Sequence, residues 1–195
     1  DMGMEPIDEG VPNRLDMGET TEPLSPSFGE LLINEVMYDP ENLLDDNAEW
    51  IELRNASTSS LNLNGCSVVD SNHRDTVAED GVSLNGIVVE AGGYVLLGRS
   101  EDTSLNGGLT PDRVFTFALS NSGDELFVVC GNIEVDVIAY DDGETFPNAK
   151  GFAIVRGTDA TGEERWCPAT SVYDPVNMER GTPGAPNDAC GELTA

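Results

Sequence analysis

The side chains of this sequence that could do chemistry are carboxylates and thiols. Asp and Glu number 37 against 9 Lys and Arg, with four cysteines and a single histidine, His73. A serine triad would have to use His73, and no Gly-x-Ser-x-Gly elbow accompanies it. His73-Arg74-Asp75 has the letters of a kinase catalytic loop. It lacks the downstream Asn, the glycine-rich phosphate loop and a strand lysine, so it reads as an exposed turn. One histidine also excludes a two-histidine metal site, and no cysteine sits in a C-x-x-C pair, which removes zinc-ribbon and thioredoxin chemistry.

Calcium is the cofactor the acids would suit, since it takes about six to eight oxygen ligands. Asp39, Glu41, Asp45, Asp46 and Glu49 fall between two strand-like runs and form the first candidate set. Asp70, Asn72 and Asp75 form a second, and Asp141, Asp142 and Glu144 a third. None has the spacing of an EF-hand loop, and a solvated acidic loop is the competing reading. Acids are so abundant that chance proximity is expected, so no glycosidase pair stands out. Glu35 and Glu52 lie on adjacent strand-like runs, near Arg54. A hydrogen-bonding or ion-pair role is expected of them rather than catalysis.

Cys66, Cys130, Cys167 and Cys190 are even in number and widely spaced, which suits two disulfides in an oxidising compartment. A bridge from Cys167 to Cys190 would staple a stretch poor in apolar residues, leaving Cys66 and Cys130 to pair within the main domain. On Leu126-x-Val128-x-Cys130 the cysteine shares a face with two apolar residues and should point inward. Buried free thiols are the alternative.

The net charge of −28 argues against direct nucleic-acid binding, which needs cations to neutralise phosphates. It equally disfavours anionic lipid. No apolar run approaches the roughly 20 residues of a membrane-spanning helix. Residues 1–28 carry seven acids and one arginine, a net of −6, with prolines and little apolar periodicity. They read as a flexible spacer. The sequence begins at Asp1, so a removed signal peptide or an upstream lipid anchor is expected. Residues 29–190 read as one domain and 191–195 as a tail. Asn55-Ala56-Ser57 is a glycosylation sequon.

From Leu31 onward, short runs rich in β-branched and aromatic residues alternate with turn signals. Trp50-Ile51-Glu52-Leu53-Arg54 places Ile51 and Leu53 on one face. Asn-Gly at 64–65, 85–86 and 106–107, with Gly92-Gly93 and Ser122-Gly123, punctuates the runs. No helical period exceeds two turns. Many short strands between turns indicate an all-β sandwich or barrel. Residues 156–195, rich in Gly, Pro and Asn, read as irregular.

Seven motifs in order resemble the lamin tail domain family. Leu32–Pro40 followed by Glu49–Asn55 resembles its opening, and Leu63–Val68 its third strand, with Cys66 where the family often has Trp. Val89–Leu97 is similar to its Pro-Gly-Gly-Tyr strand, and Leu119–Leu126 to its Asn-x-Gly-Asp turn. Val135–Tyr140 and Gly151–Arg156 resemble the last strands, and Gly181–Asn187 the ending of bacterial members. The resemblance covers about residues 29–190 and implies an immunoglobulin-like β-sandwich with a disulfide-stapled C-terminal segment. It implies a non-catalytic, extracytoplasmic module, secreted or attached to the cell envelope of a bacterium, that presents a surface to a protein or glycan or serves as a spacer. A calcium-binding adhesion-type domain and a metal-dependent phosphoester hydrolase accessory domain are the alternatives. No coiled-coil heptads precede the domain, so the filament role of lamins does not carry over.

Overall fold

The computed structural model describes residues 23–70 and 81–191, in which turn residues cut the chain into short strands. In chain order these are β1 (Leu31–Met37), β2 (Trp50–Asn55), β3 (Leu61–Asn62), β4 (Cys66–Asp70), β5 (Val82–Ser83), β6 (Val88–Val89) and β7 (Tyr94–Gly98). Then come β8 (Arg113–Val114), β9 (Asp124–Cys130), β10 (Ile133–Tyr140), β11 (Ile154–Thr158), β12 (Glu164–Pro168), β13 (Val172–Asp174) and β14 (Glu179–Arg180). A single helical turn, α1 (Asp45–Ala48), precedes β2.

Two sheets form the sandwich, one ordered β12-β11-β1-β2-β7-β8 and the other β10-β9-β4-β5. All pairings within them are antiparallel except β7 with β8. Between the sheets, Leu31, Ile33, Val36, Ile51, Leu53 and Leu97 pack against Val68, Leu126, Val128 and Val135 in one core. Ile51 and Leu53 share the inner face, as their spacing predicts. The reach of the core is extended by Tyr38 stacked on Tyr140, with ring centroids 4.4 Å apart.

One irregularity in β1 sets the rest of the architecture. Ile33 pairs with Leu53 and Glu35 with Glu52, so Asn34 is an extra residue in the ladder. Such a bulge reverses the facing of every later residue in its strand. Leu31 and Ile33 point inward before it, and Val36 points inward after it. Glu35 and Met37 are therefore turned to the outer face of the six-stranded sheet. Met37, Trp50 and Ala153 form a second apolar cluster there, with Leu96, Leu109 and Tyr173 packed beside it.

That outer face is covered by residues 169–190, a strap that crosses the sheet after β12. Two disulfides are present. Cys167–Cys190 closes the strap, and Cys66–Cys130 joins opposite positions of β4 and β9. The strap is more regular than its composition suggests. It carries the β13–β14 ladder, and β12 before it pairs with β11 through five residues, Glu164 to Pro168. Backbone pairing to the sheet supplies what its few apolar side chains do not.

The expected spacer at 1–28 and the tail at 191–195 lie largely outside the described residues. Leu24, however, bridges in parallel to Leu61, with the Leu24 N–H on Ser60 O and the Asn62 N–H on Leu24 O. Leu24 is thus paired to the β3 segment. His73, Arg74, Asn72 and Asp75 also lie outside the described residues. The sequon at Asn55 is closed within the fold: Asn55 is fully buried, and its Nδ2 donates to Ser59 O and Val89 O.

Candidate functional site

The densest polar chemistry lies under the strap, where β1 and β2 present Glu35 and Glu52 to it in register. Both are fully buried. The Thr182 N–H and hydroxyl each donate to Glu35, at 2.8 Å. Asn34 Nδ2 donates to Glu52 at 2.8 Å, and the Gly184 N–H donates to its other oxygen. The donors come from the Thr182-Pro183-Gly184-Ala185 turn, closed by the Ala185 N–H on Thr182 O. Gly184 takes a φ of 75° at the third position, as a type II turn requires.

Asn187 completes the seam. Its Nδ2 donates to Asn34 O and Arg156 O, and its Oδ1 accepts from Asn34 Nδ2 at 2.8 Å. The extra residue of the bulge is thus the one that reaches the strap. Gly181 lies so close to the sheet that a Cβ there would stand 2.8 Å from the Trp50 ring and 2.9 Å from Glu35.

Burial governs the protonation of this pair. It pushes Glu35 up to about 8 against the lowering effect of the Thr182 donors, with the charges of Glu52 and Asp188 adding to the rise. Burial raises Glu52 to about 7, opposed by the Gly184 and Asn34 donors. Raised carboxyls in register have the protonation behaviour of acid–base catalysts. An open cleft of about 320 Å³ reaches Glu52 between Tyr94 and Pro183-Gly184, yet both Glu52 oxygens already accept hydrogen bonds from the protein. Arg54, expected near the pair, is exposed. The partners of the two glutamates are strap and bulge donors.

Four of the five first-loop acids share partners in two pairs, Asp39 with Asp45 and Asp46 with Glu49. Asp39 pairs with Lys150 at 3.2 Å, and the Asn121 amide donates to Asp45 at 3.1 Å and to Asp39 at 3.5 Å. Asp46 and Glu49 both pair with Arg99, at 3.0 and 3.1 Å. Arg99 also donates to Phe117 O, and the Leu119 N–H donates to Glu49. Burial raises Glu49 to about 7, opposed by Leu119 N–H and Arg99. The N–H of Glu41 donates to Glu179. Among the described residues, no three Asp, Glu, His or Cys side chains converge as a metal would require. In the third acidic group, Asp141 accepts the N–H groups of Thr145 and Phe146, and Asp142 accepts from Asn148. Both caps shape the loop after β10.

Sequence reasoning missed several members of this network. Glu179 is fully buried and accepts the N–H groups of Glu41 and Asn42 from the first loop. Asp188 accepts those of Thr170 and Ser171 within the strap. Asp136 accepts the N–H of Ile33 at 2.7 Å and pairs with Arg156 at 2.9 Å, serving the donor freed beside the bulge. Asp136, Thr182 and Asn187 did carry a signal, since they fall within the Val135–Tyr140 and Gly181–Asn187 motifs, whereas Glu179 and Asp188 fall in none.

No curated protein matches the chain. Residues 25–142 match the family model described as Lamin Tail Domain, which spans the sandwich from the segment before β1 to the end of β10 and leaves β11, β12 and the strap beyond the match. With more than half of its length matched, including the sandwich strands β1 to β10, this chain belongs to the lamin tail domain family.

Proposed function

We propose that this chain is a non-catalytic binding or structural module that works outside the cytoplasm and presents its sandwich surface to a protein or glycan. The lamin tail domain is an immunoglobulin-like, non-catalytic family, and a fold of this kind carries function on grafted surfaces. The observation that carries the reading is the use made of the buried acids. Glu35, Glu49, Glu52 and Glu179 each accept a backbone N–H from a distant segment. Carboxylates engaged in that way fasten segments, and this use of them supports a non-catalytic role. Two disulfides suit an oxidising compartment. No helix among the described residues is long and apolar enough to cross a membrane.

Capture on the immobilised full chain tests the binding role. A specific partner retained from envelope extract at physiological salt is expected, and none under several conditions would leave a spacer. Thermal melts with calcium, magnesium and EDTA, paired with phosphoester assays, test the metal-dependent alternatives. Calcium is expected to raise the melting temperature no more than magnesium, with no turnover above the protein-free rate. A saturable calcium-selective rise, or turnover lost in EDTA and in Asp45→Ala, would contradict the non-catalytic reading.

A further inference from the structure

We infer that the loops 41–46, 103–108 and 174–178 together form a docking surface for a basic amphipathic polypeptide, an inference that rests on the binding-module reading. Several apolar side chains on these loops are open to solvent. Val176 is 86 % exposed, Leu44 72 %, Met178 56 % and Leu105 45 %. Singly exposed apolar residues are ordinary, whereas several on adjoining loops mark an interaction surface.

The loops adjoin one another and are held in shape. Asn42 Nδ2 donates to Asn177 O at 2.8 Å, and the Glu179 carboxylate takes the Asn42 N–H at 2.7 Å. Thr103, Ser104, Gly107 and Gly108 line one cleft with Asp174, Val176 and Asn177. Buried Asn106 braces its loop by donating to Ser100 O and Leu109 O. Asp174 accepts the N–H groups of Val176 and Asn177. Met178 has a φ of 64°, a left-handed backbone that is costly for a residue with a side chain. Surfaces held in their contact shape lose little entropy on binding.

Charge selects the occupant. Glu41, Asp46, Glu101 and Asp102 are exposed on or beside the same loops. The neighbouring cations are engaged, Arg99 by Asp46 and Glu49 and Lys150 by Asp39. A second copy brings another −28, and an anionic bilayer is repelled for the same reason. A polypeptide with Leu-like side chains between lysines or arginines gains from the apolar tips and from the acids around them.

Fluorescence anisotropy on the full chain tests the inference, using two dye-labelled peptides of equal charge, one alternating Lys and Leu and the other Lys and Ser. At physiological salt the Lys-Leu peptide is expected to bind at least tenfold more tightly. Val176→Ser with Met178→Ser, or Leu44→Ser on its separate loop, should remove that preference without lowering the melting temperature. Glu101→Gln should weaken both peptides alike. Equal binding of the two peptides, or an unchanged preference in both serine variants, would overturn the inference. So would a dimer in light scattering that the serine variants dissolve, or tighter binding to vesicles of anionic phospholipid. If the serine variants still capture the envelope partner, the docking surface fails and the binding-module reading stands.

Discussion

The domain should become more stable as pH falls from 8 to 5, opposite to a protein whose carboxylates are stabilised by ion pairs. Glu35 binds its proton with a value of about 8 in the fold and an ordinary 4.5 when unfolded, because burial disfavours its charge. Folding therefore takes up protons between those limits. The favourable contribution is full below 4.5 and is lost as pH rises through 8. Over pH 5 to 8 this amounts to about 3 to 4 kcal/mol for Glu35 alone, at about 1.4 kcal/mol per unit and with Glu35 half ionised at pH 8. Glu49 and Glu52, raised to about 7, add in the same direction. Asp141 and Asp159 act in the opposite sense at low pH. The hydroxyls of Thr145 and Thr161 hold them below the usual carboxylate range, so their contribution is lost as pH falls through those lowered values. Melts at constant ionic strength should show a maximum near pH 5, and Glu35→Gln should remove the largest single share of the loss at alkaline pH, leaving the shares of Glu49 and Glu52. A melting temperature that climbs from pH 5 to 8 would refute the assignment.

The second large effect is expected at the disulfides, in a definite order. Cys66–Cys130 spans 64 residues and Cys167–Cys190 spans 23. Chain entropy assigns about 4 kcal/mol to the first and about 3 kcal/mol to the second. Cys66 is also almost fully buried in the main core, so its removal adds a packing loss. Urea unfolding should place the Cys66→Ala/Cys130→Ala pair below Cys167→Ala/Cys190→Ala, and both below the parent. The strap variant should also shift Trp50 emission to the red, because Trp50 packs beneath Gly181 and Tyr173. Equal midpoints for parent and core variant, or unshifted emission in the strap variant, would contradict this.

Much of the sandwich was legible in the sequence because its signals are local. Alternation in Trp50–Arg54 placed Ile51 and Leu53 inward, and Asn-Gly pairs marked the turns that glycines at positive φ now make, Gly65 at 79° and Gly86 at 82°. Parity and spacing of the cysteines were enough to suggest both pairs. What escaped depends on residues far apart. Nothing in Leu-Leu-Ile-Asn-Glu-Val-Met announces a bulge, yet the bulge turns Glu35 outward. Its partner Thr182 lies 147 positions away. The first-loop acids had the composition of a cation site, but Arg99 and Lys150 arrive from other parts of the chain and engage Asp39, Asp46 and Glu49. Strands in a Gly- and Pro-rich segment were likewise hidden, because β12 is held by its pairing with β11, by Trp166 against the core and by the Cys167 bridge, all of them distant contacts.

Hydrogen exchange at the amides of Thr182 and Gly184 tests most directly whether buried carboxylates fasten the strap. Each N–H has a glutamate as its acceptor, Glu35 for the first and Glu52 for the second. At pH 6 both should exchange at least about a hundredfold more slowly than an unstructured chain, with protection falling in Glu35→Ala for Thr182 and in Glu52→Ala for Gly184. Exchange at the unstructured rate in the parent protein would mean that the strap is not held by these acids, and that the buried glutamates serve some other purpose.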